Sequence, residues 1–185
     1  MRWTGVHPNL AYFGEAMHYR PQLLASAFLI AAMFGPLGCN AAPDNPTGVP
    51  DNAQPVSVQP LPEAEPLAFY SGITTQQRLV VRDSATWATV WQQIAGPLQP
   101  TPSVDFAGDV VIVAAMGTRN TGGYSIKVDD VHTLADDAWI SVTERSPGSG
   151  CFVTEALTSP VAVVVVPRFA GRAMFLEHTS QSTCQ

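Results

Sequence analysis

Seven consecutive apolar residues, Val110-Val111-Ile112-Val113-Ala114-Ala115-Met116, leave this chain few ways to fold. A strand that alternates apolar and polar residues can show one face to water, and this run has no polar face to show. Asp109 precedes it and Gly117 follows it, so it reads as a central strand that other elements must cover on both sides.

The stretch from Gly117 to Tyr124 is the most shaped of the chain. Gly117, Asn120, Gly122 and Gly123 are residues that tolerate a positive φ or a sharp reversal. They precede a second apolar pattern in which Tyr124, Ile126 and Val128 share one face, and Ser125, Lys127 and Asp129 the other. The spacing predicts a long hairpin loop whose large side chains are Arg119 and Tyr124. Loops held by a sheet commonly carry function, and Arg and Tyr are frequent interface anchors. Arg119, Thr121, Gly122, Gly123 and Tyr124 are therefore the candidate partner-binding residues. The alternative is structural: Arg119 folds back onto its own loop carbonyls and Tyr124 packs in the core.

Elsewhere the periodicities are local and clear. Leu67 to Arg82 suggests two short strands with a bend. Asp83-Ser84 opens a helix, and Trp87, Val90, Trp91 and Ile94 form one apolar face that reads as core before Gly96-Pro97 ends it. Trp139 to Arg145, Val161 to Val166 and Ala173 to Glu177 read as further strands, and Asp136-Asp137 as a surface turn. One helix among many strands with hairpin-length connections implies an α+β fold, a mainly antiparallel sheet packed by one N-terminal helix, with a partly closed barrel as the alternative.

Upstream of the domain lies an export pattern. Met17-His18-Tyr19-Arg20 precedes an apolar stretch from Leu23 to Phe34, too short to span a membrane as a helix. Residues 1–38 are expected to be a signal region whose true start is Met17. Leu37-Gly38-Cys39 resembles the end of a bacterial lipoprotein box, with Pro36 where that pattern prefers Leu. The resemblance implies lipidation of Cys39, with a palmitate-type acyl anchor in the membrane. Asn40 is not the aspartate that retains such proteins at an inner membrane, which favours the outer membrane, facing the periplasm or cell surface. Residues 39–66, with Pro43, Pro46, Pro50, Pro55, Pro60, Pro62 and Pro66, read as an extended tether. The folded domain is expected over residues 67–185.

Composition removes several functions. Nine Lys and Arg residues in a chain of net charge −6 are scattered, whereas a nucleic-acid surface needs them clustered. No nucleophile elbow, HExxH or phosphate cradle is present, so no catalytic residue, metal or cofactor is expected. Of three cysteines, Cys151 and Cys184 remain once Cys39 is assigned to lipid. In an oxidising compartment they would pair. A zinc site with His178 is the alternative, without finger-like spacing.

The stretch Gly117-Thr118-Arg119-Asn120-Thr121-Gly122-Gly123-Tyr124-Ser125-Ile126-Lys127-Val128 resembles the G-x-R-x-T-G-G-Y-x-I-x-V signature of the C-terminal domain of the PrcB family, the protease complex subunit. Val104-Asp105-Phe106 and Glu144-Arg145-Ser146-Pro147-Gly148 also look like that domain, and the likeness covers most of Val81 to Pro167. It implies a non-enzymatic envelope lipoprotein that binds a protein partner, a protease that it associates with and stabilises. A fainter likeness of Thr121-Gly122-Gly123-Tyr124 and Pro147-Gly148-Ser149-Gly150 to the loops of chagasin-type inhibitors implies protease inhibition instead. A structural envelope lipoprotein is the third reading.

Overall fold

The computed structural model describes residues 48–184. The signal region, the lipidation of Cys39 and the start of the tether lie outside the described residues. In chain order the elements are β1 (Gln54–Val56), β2 (Gln59–Pro60), a 3-10 helix (Pro62–Leu67), β3 (Gln77–Val81), α1 (Ser84–Ala95), β4 (Asp109–Ala115), β5 (Ser125–Leu134), β6 (Asp137–Ser146), β7 (Val161–Pro167) and β8 (Ala173–Gln181). They form two four-stranded sheets, ordered β1-β5-β6-β8 and β2-β7-β4-β3. The fold is α+β and mainly antiparallel, as the sequence implies. It is a sandwich rather than a closed barrel.

β4 holds the layers together. It lies between β7 and β3, and each of Val110 to Ala115 is fully buried. Val110, Ile112 and Ala114 point toward the first sheet and pack with Val128, Val131, Ile140 and Val142. Val111, Val113 and Ala115 point the other way and pack with Trp87, Val90, Trp91 and Ile94 of α1. The helix is where its sequence signals put it. Asp83 caps it, accepting from the Thr86 N–H at 2.8 Å and from the Thr86 hydroxyl at 2.8 Å. Those bonds, the backbone one first, hold the Asp83 carboxyl below its ordinary pKa. Gly96 ends the helix at φ 83, a conformation open to glycine. The Trp87 indole N–H donates to the Pro102 carbonyl at 2.9 Å, so the loop after the helix is fastened to the core.

Three expectations are corrected, and one pairing proves parallel. The stretch after β4 is not a hairpin loop, because β4 and β5 belong to different sheets. Leu67 to Arg82 holds one strand, β3, instead of two. β8 pairs with β6 in parallel, Ala138 opposite Ala173 through Ser146 opposite Gln181. The chain visits the other sheet as β7 before it returns, and so the two strands run the same way. The segment expected as a tether through Pro66 enters both sheets. β1 pairs with β5, with Pro55 opposite His132, and β2 pairs with β7, with Pro60 opposite Val164. Both are edge strands, where a residue without an N–H is tolerated. Pro62 begins the 3-10 helix, where the N–H would be unpaired anyway.

A bulge between Val128 and Asp130 shifts the register of β5. It places Val128 and Val131 both in the core, at 3 % and 0 % exposure, where strict alternation would send Val131 outward. Asp137 opens β6 and accepts from the Arg172 backbone N–H at 2.7 Å and from its guanidinium at 3.0 Å, so it is tied to the residue that precedes β8.

Ile112 reports on the sandwich. Ile112→Ala is expected to lower the unfolding free energy by about 2–5 kcal/mol, read from urea denaturation. Leu98→Ala, at a side chain 94 % exposed, is expected to stay within about 0.5 kcal/mol.

Candidate docking site

Three segments meet at one end of the sandwich: Leu67–Gly72, the connection Met116–Tyr124, and the connection 147–160 between β6 and β7. The third acts as a strap between the other two. On one side, the Ser159 N–H donates to the Phe69 carbonyl at 2.8 Å, and the Ser71 N–H donates to the Ser159 carbonyl at 3.1 Å. The Ser71 hydroxyl reaches the same carbonyl at 2.8 Å. On the other side, Arg119 and Thr158 exchange backbone bonds at 2.7 and 3.0 Å, and the Gly122 N–H donates to the Thr154 carbonyl at 2.9 Å. The Thr158 hydroxyl donates to the Thr121 carbonyl at 2.9 Å.

Glycine is required here at two positions. Gly117 stands at φ 73, and a Cβ there would lie 2.8 Å from the Thr74 carbonyl oxygen. Gly123 stands at φ 84, with Pro147 of the strap about as close as a side chain could come, 3.1 Å from a Cβ. Gly117 thus lets its backbone approach that of Thr74 to Gln76, and Gly123 lets the motif lie against the side chains of Val153 and Pro147.

This fastening inverts the usual sorting of side chains. Thr158 is 4 % exposed while its neighbour Leu157 is 68 % exposed. Ser71 is 7 % exposed beside Tyr70 at 62 % and near Phe69 at 50 %. Phe152, next to Cys151, is fully exposed. The hydroxyls turn inward to join the segments, and the large apolar groups turn to solvent. Sequence reasoning missed Phe69, Tyr70, Phe152 and Leu157. None lies in a periodic pattern, and their exposure follows from hydrogen bonds between segments far apart in the chain.

Beneath the loops the sandwich ends in an ion cluster. Arg78 reaches across from β3 and makes two bonds to Glu177 of β8, both 2.8 Å. It makes one to Glu144 of β6 at 2.7 Å. Burial works against the Arg78 charge, and the two carboxylates outweigh it, leaving its pKa above the ordinary value. Gln76 donates to the same Glu144 oxygen at 3.1 Å. Arg119 approaches the other Glu144 oxygen at 3.6 Å, and its guanidinium lies over the Tyr124 ring, 5.7 Å from the centroid. Neither structural expectation for these two residues describes them. The side chain of Arg119 is 31 % exposed and turned to Glu144, and Tyr124 is half-buried outside both core clusters. Both residues line a shallow pocket of about 230 Å³ together with Glu144, Arg145, Ser146 and Ser180. A larger hollow of about 380 Å³ lies on the flank, lined by Val58, Leu61, Ala64, Ile126, Val128 and Val163. Glu65, Lys127 and Asp129 also line it, but Lys127 and Asp129 are paired with each other at 3.2 Å, whereas the smaller pocket brings two guanidiniums to one carboxylate.

Cys151 and Cys184 are disulfide-bonded, with Cα atoms 5.1 Å apart and 33 residues of separation. The bond removes the zinc alternative and ties the strap to the tail after β8. In the chain-entropy model a loop of this length stabilises by roughly 3–4 kcal/mol.

Comparison with known proteins points to the same segments. Residues 110–167 match the family model described as PrcB C-terminal. This segment is similar to that domain. No curated protein and no solved structure matches the chain. The PrcB C-terminal segment runs from β4 to β7, so it contains Arg119 to Tyr124, Glu144, Arg145 and the strap. Phe69, Tyr70, Arg78 and Glu177 lie outside the PrcB match and complete the same end of the sandwich.

Arg78→Ala strips both carboxylates of their shared partner. It is expected to destabilise by about 2–3 kcal/mol, less than a fully buried pair because water screens Glu177, whose side chain is 43 % exposed. Thermal unfolding at neutral pH reads this loss, and Arg78→Met, which keeps the aliphatic stem, should recover part of the packing but not the ion pairs.

Proposed function

We propose that this protein is a non-enzymatic docking module that holds a protein partner at the loop end of the sandwich, and that the partner belongs to a protease complex. The observation that carries the docking reading is the inverted burial along the strap. Hydrophobic burial alone would turn Leu157 in and Thr158 out, as it would Tyr70 and Ser71. An exposed apolar group beside a buried hydroxyl, repeated on adjoining segments, suits a surface completed by another protein. The hydrogen bonds along the strap pre-organise that surface, which reduces the ordering entropy of association. The protease identity of the partner rests on the PrcB C-terminal family match.

Photo-crosslinking in the native host tests the reading. With a benzophenone side chain in place of Leu157, the expected result is one discrete adduct, identified by mass spectrometry as a protease or a subunit of its complex. The same probe at Leu98, outside the three loop segments and more exposed still, should not form it. Adducts that match those from Leu98, or none, overturn docking. Incubating the purified domain with a panel of proteases separates docking from inhibition, since a docking module leaves their turnover intact.

We further propose that Cys39 carries the lipid and that the anchor holds the module at the cell envelope. Cys39→Ala is expected to move the protein from the membrane pellet to the soluble fraction, and a mutant that still sediments after a high-salt wash overturns the anchor.

A further inference from the structure

The pocket under the loops has an unbalanced charge. Arg119, Arg145 and Glu144 line it, and Glu144 joins it to Arg78, which also pairs with Glu177 in the adjoining ion cluster. Arg78 takes both of those carboxylates at 2.7 and 2.8 Å. Arg119 is left with the long 3.6 Å approach to a Glu144 already engaged on its other oxygen. Arg145 makes no ion pair among the described residues and is exposed at the pocket rim. Three guanidiniums against two carboxylates leave one positive charge, in a chain whose net charge is −6. Ser180 adds a hydroxyl donor to the lining, while the Ser146 hydroxyl donates to the Ser180 carbonyl. The face of Tyr124 holds the Arg119 plane at the mouth.

A guanidinium with a partly exposed fork and a distant partner is suited to a carboxylate, which it grips at about 2.7–2.9 Å through two parallel bonds. We propose that the pocket between Arg119 and Arg145 binds a carboxylate of the docked protein, set beside apolar side chains that lie on Tyr70 and Leu157. The proposal rests on the docking reading and adds the chemistry of the contact. The carboxylate is that of an acidic side chain or of a chain terminus, and Arg119 is the residue that turns from Glu144 to hold it.

Three peptides separate the possibilities: acetyl-Phe-Glu-Phe-amide, acetyl-Phe-Gln-Phe-amide, and acetyl-Phe-Ala-Phe with a free C-terminal carboxylate. They are titrated into the 15N-labelled domain while the Arg119 Nε–H signal is followed. The glutamate peptide or the free-carboxylate peptide, whichever source is right, is expected to shift that signal saturably, and the glutamine peptide to bind about tenfold more weakly or worse. Added salt should weaken the acidic peptide alone. Arg119→Gln is expected to lose about tenfold in affinity for that peptide at an unchanged melting temperature. Equal binding of the glutamine peptide, or no carboxylate peptide moving Arg119, overturns the proposal, and both comparisons use the parent protein whether or not the variant folds. Leu157 crosslinks that persist when the carboxylate peptides fail leave docking standing without this contact. Peptide binding without crosslinks leaves a carboxylate pocket and removes the docking reading.

Discussion

The burial of β4 on both faces is the constraint on which the other elements depend. Its alternate residues serve two cores, with Ile112 facing the opposite sheet, β1-β5-β6-β8, and Val111 and Val113 facing the helix. A single sheet with one helix would leave Ile112 and Val110 in water. The β1-β5-β6-β8 sheet is therefore demanded by β4 as much as by its own hydrophobicity, and each layer is stable only while the other is in place. Removing apolar area from water supplies roughly 25 cal/mol per Å², and β4 collects that gain from both sides of one strand.

Where the apolar core runs out, polar groups take over the same task. Arg78 continues the inward-facing row of Val80, but at the end of the sandwich its partners are Glu144 and Glu177 of the opposite sheet. A two-sheet fold needs its ends closed against water, and three charges with good geometry close this one. The same cluster sets the floor for Arg119, whose freedom to act comes from the fact that Glu144 is already committed.

The helix, its cap at Asp83, the double cover of β4 and the positions of β6 and β7 were legible because each is written within one stretch of sequence. Trp87, Val90, Trp91 and Ile94 declare their common face by spacing alone. The switch of sheet after Gly117 was not legible, since a glycine-rich turn looks the same whether it returns to its own sheet or crosses to another. The parallel course of β8 beside β6 depends on β7 lying between them in sequence and in the other layer, a matter of topology. Pro55 and Pro60 read as tether because proline is usually excluded from strands, and the exception is an edge. Of the candidate site, the glycines and Arg119 were visible as a motif. The exposure of Tyr70 and Leu157 was not, because it arises where Ser71, Thr158 and Ser159 bond across the chain.

The parallel pairing of β6 with β8 bears on how the domain comes into being. The inner side of β6 is complete once β5 has formed, but its other edge waits for residues 173–181, the last strand of the chain. A chain that folds from its N-terminal side onward therefore holds β6 with an open edge until the strap and β7 are in place, and Ile140 without Phe175 opposite it. Pairings of this kind close late and slowly, because distant segments must meet before any contact rewards them. The partly folded chain is thus a species with a templating edge and an unfinished core until residues 173–181 are paired.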